Sequence, residues 1–350
     1  MKTIFSRKMQ DRKSKRLPNK ERIVTIEDLI EFCKVDTSVW EPKRGRVNSW
    51  EVGTREATAG LVQIKVPLSR IEEDKIDDRL LSLLDTELAL MAPKKFSKFK
   101  QPEKGNKGRL MEVSIPDYVG TEVLARGDSE AAISMCIMRG KQKYSAMLAD
   151  LLSKTANEKI SRILFPVNTA FGDLKLKKAV KNQWSRVFLA EAQLLAETIE
   201  TLAQVAPVDV VMVNTRKSKP YLGIYLSKWF KNHPTVNVDQ GLKVRKYYTF
   251  GNNLIGLTCD KTLKAAMLPT IMSTESQNLW SKAKYSEIHY GEASSNEKGK
   301  EYNGVSVKQI NGLMLAEDLL PKKNQVVVNT NAEAYFFNSA GGMDTTYYAG

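Results

Sequence analysis

The chain has 350 residues, of which 42% are hydrophobic and 27% charged, with a formal net charge of +14. That length can bury one large core or two unequal ones, the composition is that of a globular protein, and no apolar run is long enough to cross a bilayer. The basic N-terminus lacks the apolar stretch of a secretory signal. Three widely spaced cysteines, Cys33, Cys136 and Cys259, suit reduced thiols in a cytoplasm rather than a disulfide framework, and burial is expected for all three.

Residues 1–22 read as a basic flexible arm. Positions 2 to 22 carry nine basic side chains against two acidic ones, among them Arg7, Lys8, Arg12, Lys13, Lys15 and Arg16. Residues 23–92 read as a small α+β module. Its first element is a helix capped by Thr25, with Asp28 in capping-box position and Ile26, Leu29, Ile30 and Cys33 forming an apolar stripe. Trp40 and Trp50 flank a Pro/Gly turn, and core packing suits them better than base stacking. A strand is expected over Leu61–Val66, ended by Pro67, and a second helix after Ser69, with Leu80, Leu81, Leu84 and Leu88 on one face. Residues 93–109, PKKFSKFKQPEKGNKGR, read as a basic linker and carry Lys94, Lys95, Lys98 and Lys100. For these two basic runs, contact with a polyanion and simple solvation both stay open. A looser basic set around Arg216–Lys246 reads as solvated surface.

From residue 110 to 350 the pattern changes. LMEVSIPD, ISRILFPVN and VDVVMVN are short apolar runs separated by helical stretches near 129–154 and 178–204. That is the signature of buried parallel strands in βαβ units. Beyond residue 233 the chain is richer in strands: VRKYYTF, NLIGLT, YSEIHYG, GVSVKQI, QVVVNT and AEAYFFN. SAGGMDTTYYAG at the C-terminus reads as a loose end or an edge strand.

Ligands in open α/β folds gather beyond the carboxyl ends of parallel strands. There the chain reads IPDYV, FPVNTAFGD, VVMVNTRKS, GLTCDK and IHYGEASS. With VSIPD, RILFPV, APVDVVMV, YYTFGNNLIGLT and YSEIHYG, this order resembles the calcineurin-like metallophosphoesterase superfamily, within it the phosphoesterase-like proteins of bacteriophages. The resemblance implies an α/β fold, a two-sheet metallophosphoesterase-type sandwich flanked by helices, with the small α+β module before it.

The family's two-metal centre needs histidine and carboxylate ligands in the order D-x-H, G-D/N-x-x-D, G-N-H-D/E, a lone histidine and G-H-x-H. Set against those motifs, Asp117 stands as the retained aspartate and Val119 replaces the histidine. Ala170 replaces the bridging carboxylate, and Arg216, Lys217 and Ser218 occupy the Asn-His-Asp place. Cys259 takes the lone histidine's place, while Glu292 and Ser294 stand for the last two histidines after Gly291. The whole chain holds only His233 and His289. Asp117, Asp173, Asp260 and Glu292, with His289, are the vestigial candidates for a makeshift metal site; loop carboxylates of this kind more often cap helices or face water.

No Walker loop, dinucleotide fingerprint, nucleophile elbow or paired C-x-x-C is present in the sequence. The expected function is that of a catalytically inactive phosphoesterase-fold protein, a pseudoenzyme of phage kinship, with no cofactor and no membrane association. Its expected partner is nucleic acid, held through the basic runs, or another protein, in the host cytoplasm. Two alternatives stand beside it: a virion or assembly protein with a protein partner or self-assembly, and a residual metal-dependent phosphodiesterase with rebuilt ligands.

Overall fold

A computed structural model describes residues 2–7, 29, 31, 33, 40–42, 46–54, 57–70, 86, 108–168, 183–214, 221–241, 243–260, 262–291, 300–320 and 331–350. The chain divides into two units, Met1–Glu87 and Leu88–Gly350.

The described part of the first unit is built on the strands β1 (Lys2–Arg7), β2 (Trp40–Pro42), β3 (Arg46–Thr54) and β4 (Ala57–Arg70). Strand β4 is the spine and pairs antiparallel with the other three. Residues 2–7 therefore form a strand where charge composition predicts an arm. The stretch KTIFSR carries β-favouring Thr, Ile and Phe, and its register against Gln63–Leu68 outweighs the flanking charge. Nor does Pro67 end β4. It falls between the segment paired with β3, which stops at Lys65, and the segment paired with β2, which starts at Leu68, where a missing N–H costs no ladder bond on that side. The Cys33 N–H donates to the Leu29 carbonyl over 2.9 Å, one helical turn, and Cys33 is exposed rather than buried.

The second unit is built on two mixed sheets. One is six-stranded, in the order β15-β14-β5-β6-β7-β8. Its strands β5 (Arg109–Ser114), β6 (Ile160–Asn168), β7 (Val208–Val213) and β8 (Val236–Asp239) run parallel. Strands β14 (Ala332–Asn338) and β15 (Gly342–Ala349) complete it antiparallel, with β15 at the edge. The other is five-stranded, in the order β12-β13-β11-β10-β9, from β9 (Arg245–Phe250), β10 (Asn253–Thr258), β11 (Tyr285–Tyr290), β12 (Lys300–Tyr302) and β13 (Val305–Gln309).

Period-two alternation gives each sheet two buried faces. Leu110, Leu164, Val211 and Val213 from the first sheet form one core with Ile255 and Leu257 from the second. The opposite residues of the second sheet, Leu254, Ile288, Tyr290, Val305 and Val307, are covered by Leu268 and Met272 of helix α5 (Leu268–Glu275). On the first sheet's other side lie α1 (Tyr118–Arg126), α2 (Glu130–Lys154), α3 (Trp184–Ala203) and α4 (Tyr221–Trp229), with Gly223 of α4 standing over Met212. Ser129 caps α2 by accepting from the Ala132 N–H. Among the described residues, no helix is long and apolar enough to cross a membrane.

Candidate functional site

Strand β5 ends at Ser114, and Ile115–Pro116 carry the chain to Asp117. Proline at 116 cannot extend the sheet ladder, and the aspartate behind it opens helix α1 as its N-cap: Asp117 Oδ1 accepts the Gly120 N–H at 2.7 Å. A Cβ on Gly120 would lie 2.2 Å from Asp117 Oδ2, so only glycine leaves the carboxylate room to fold over the helix end.

Asp117 lines a cavity of about 50 Å³ between the ends of β5 and β6 and helices α2 and α3. Tyr144, Phe165, Asn168, Glu191 and Leu315 are also on its wall. Asp117 keeps some accessible surface toward this cavity yet is enclosed by protein. Burial pushes its carboxyl up to about 6, against the N–H groups of Gly120 and Val119, which favour the ionised form. Glu191 is buried, 9% exposed, and its acidity is weakened strongly by burial and further by the charge of Asp117. Among the described residues, no donor reaches Glu191 Oε2, nor does the Tyr144 hydroxyl have a partner of good geometry. The Thr198 hydroxyl, which interacts with Tyr144, donates to the Leu194 carbonyl at 2.8 Å.

The short turn Asn311–Leu313 after β13 closes the same end of the sheets. Its Gly312 N–H donates to Ser114 Oγ at 2.9 Å. The Leu313 carbonyl accepts from Asn168 Nδ2 at 2.9 Å and from Cys259 Sγ at 3.4 Å, and a Cβ on Gly291 would lie 2.0 Å from it. The ends of β6, β10 and β11 thus converge on one carbonyl oxygen, beside the cavity lined by Asp117.

The other described candidates are placed apart from that cavity's polar wall. Val119 is buried in α1, where its Cα would stand 2.7 Å from a Cβ on Gly140 of α2. Asp260 Oδ1 accepts from the Thr262 N–H and hydroxyl, at 3.1 and 2.6 Å, and Oδ2 lies 3.5 Å from Arg245. Asp173, Ala170, Arg216, Lys217, Ser218, Glu292 and Ser294 lie outside the described residues, as do Lys8, Arg12, Lys13, Lys15, Arg16, Lys94, Lys95, Lys98 and Lys100. So do the caps Thr25 and Asp28, the stripe from Leu80 to Leu88 and the run QVVVNT. Arg7 closes β1, where only the backbone is described.

The described residues do not fit a two-metal centre. Asp117 spends an oxygen on its helix cap, Val119 offers no donor, Cys259 donates to a carbonyl and Asn168 turns its amide N–H groups inward. Among the described residues, no three His, Cys, Asp or Glu gather as metal ligands.

A second polar cluster lies between the sheets. His289 is fully buried, with Nδ1 2.7 Å from Glu112 Oε1 on β5 and Nε2 3.1 Å from Glu287 Oε1. Lys308 Nζ sits 3.5 Å from Glu287 and 4.8 Å above the Tyr335 ring, and the Tyr335 hydroxyl donates to Glu333 at 2.8 Å. Burial pulls the imidazole toward neutrality, but the charge and hydrogen bond of Glu112, with those of Glu287, outweigh it and lift His289 to about 10. His289 is a structural cation. His233 follows α4, where its Nδ1 accepts the Thr235 N–H at 3.3 Å.

Composition and spacing missed Glu191 and Tyr144. The available signal is an acid inside the apolar run VFLAEAQLLAET, three and four residues before Leu194 and Leu195 on one helix face. No protein-family model and no curated protein matches this chain.

Proposed function

We propose that this protein is a non-catalytic relative of the two-metal phosphoesterases, a pseudoenzyme whose helix-flanked pair of sheets serves as a scaffold for binding nucleic acid. The observation that carries this reading is the use made of Asp117. The one aspartate that the resemblance retains is a helix cap, enclosed beside Glu191, rather than a free ligand at the mouth of a site. Cys259, at the lone histidine's place, is likewise buried against the Leu313 carbonyl. With the ligand chemistry gone, what remains for function is charge. The net +14 is concentrated in two runs, 2 to 22 and 93 to 109, and such runs bind polyanions by releasing counterions.

The test is oligonucleotide binding by fluorescence anisotropy across a salt series. Removing residues 1–22 is not the right variant, because residues 2–7 are part of a sheet. Replacing Lys8, Arg12, Lys13, Lys15 and Arg16 by glutamine leaves that strand intact. On duplex DNA the log–log salt slope should become shallower by up to about 4.5, near 0.9 for each phosphate no longer neutralised. An unchanged slope, or binding indifferent to salt, rejects the nucleic-acid reading. Phosphodiester hydrolysis with added Mn²⁺, lost in Asp117→Ala, rejects the non-catalytic one.

A further inference from the structure

The cavity behind Asp117 holds more unsatisfied polarity than a folded interior normally keeps. Buried polar atoms are nearly always hydrogen-bonded, and an exception in a cleft calls for a partner. Here Glu191 Oε2, on α3, is buried without one among the described residues. The Tyr144 hydroxyl, on α2, is buried with only a poorly aligned contact to Thr198, and both side chains line the same cavity as Asp117. All three offer oxygen acceptors, while the rest of the wall is largely apolar, with Phe165, Leu194 and Leu315.

We propose that this cavity is a binding site for a small primary alkylammonium group, the N–H donors facing Glu191, Asp117 and Tyr144 and the aliphatic stem lying on the apolar wall. An ammonium ion brings three donors and no acceptor, and its charge offsets the burial that otherwise keeps Glu191 protonated. Glu191 then gives up its proton to solvent and accepts from the ligand as a carboxylate, beside Asp117 and the Tyr144 oxygen. Size supports the same class. A water needs roughly 10–15 Å³ of such space, so about 50 Å³ admits a nitrogen with a short chain and excludes a nucleotide or a sugar. The part-exposed residues Asn168, Met314 and Leu315 also line the cavity, which gives it a side from which a ligand can enter. This site is independent of the nucleic-acid reading, which rests on the basic runs.

The same head group exists on free amines and on lysine side chains, and the experiment separates the two sources. Full-length protein is titrated calorimetrically at pH 7 and constant ionic strength with n-butylamine hydrochloride, 1-butanol, tetramethylammonium chloride and acetyl-Gly-Lys-Gly-amide. Saturable binding of n-butylamine is expected, with Kd on the order of 1 mM or tighter for so few heavy atoms. 1-Butanol and tetramethylammonium should not bind, since one lacks the charge and the other the N–H donors. Competition by the peptide assigns the site to lysine side chains; its absence assigns it to free amines. Glu191→Gln should weaken binding about tenfold or more, and Tyr144→Phe about threefold.

Equal binding of n-butylamine and 1-butanol would mean an apolar hole and overturn the proposal, and that comparison needs no variant to fold. No saturable heat from n-butylamine overturns it as well. So does binding of Mn²⁺ in place of the amine with loss in Glu191→Gln.

Discussion

Asp117→Asn should make the protein more stable at neutral pH, by an amount that the environment of the carboxyl sets. In the folded chain this group titrates near 6 against an ordinary value of 3.8, so the folded state holds the proton more tightly than the unfolded one. A carboxylate raised in this way destabilises the fold above its folded pKa, and the penalty disappears as pH falls below the unfolded value. The shift corresponds to about 3 kcal/mol at full ionisation, and the partial exposure of Asp117 reduces this to roughly 2 kcal/mol. Asparagine removes the charge and still caps a helix, so the bond to the Gly120 N–H survives. Calorimetric melting of the full chain at pH 4, 5.5 and 7.5 reads the effect. For a unit the size of Leu88–Gly350, the variant should melt about 4–8 °C above the parent at pH 7.5, and the two should coincide near pH 4. Parallel pH profiles, or a variant less stable at pH 7.5, would refute the reasoning and mean that the carboxylate has a partner worth more than its burial costs.

Three further outcomes are expected. His289→Ala leaves Glu112 without its cation and Glu287 with Lys308 alone and should cost about 3–5 kcal/mol in urea unfolding. In the parent protein, His289 has a folded pKa raised to about 10; its contribution is complete below the ordinary value of 6.5 and is lost as pH rises through 10, so an alkaline unfolding transition should be present in the parent and absent from the variant. Gly291→Ala forces a methyl into the 2.0 Å gap at the Leu313 carbonyl and should destabilise by about 2 kcal/mol or more, seen as faster amide exchange in the Asn311–Leu313 turn.

Much of the larger unit is legible in the sequence because its signals are periodic. The apolar runs of β5, β6 and β7 and the long helix Glu130–Lys154 stand where alternation and apolar spacing place them. Helix α1 escapes a reading of VSIPDYVG that assigns Asp117 to a metal-ligand remnant, when its local chemistry, an acid after proline and before a helical run, is that of a cap. The strand Lys2–Arg7 is hidden by its charge, since pairing along β4 is a long-range event that composition does not encode. The acid pair in the cavity is hidden for a similar reason. Asp117 and Glu191 are far apart in the chain and meet only when α3 packs over the end of β5.

The ions between the two sheets bear on how the sandwich chooses its alignment. Apolar attraction is non-directional, so apolar sheets of suitable volume define a single offset less sharply than they define stability. Glu112 from one sheet meets His289 from the other at a single offset, and any slip leaves a charge facing hydrocarbon. Such a contact works as a locating pin, adding little to the depth of the native state while raising its misaligned neighbours. Replacing Glu112, Glu287, His289 and Lys308 together by apolar residues of similar size should then give a sandwich that stays folded yet shows doubled amide resonances along β5 and β11, one set for each alignment it has become free to adopt.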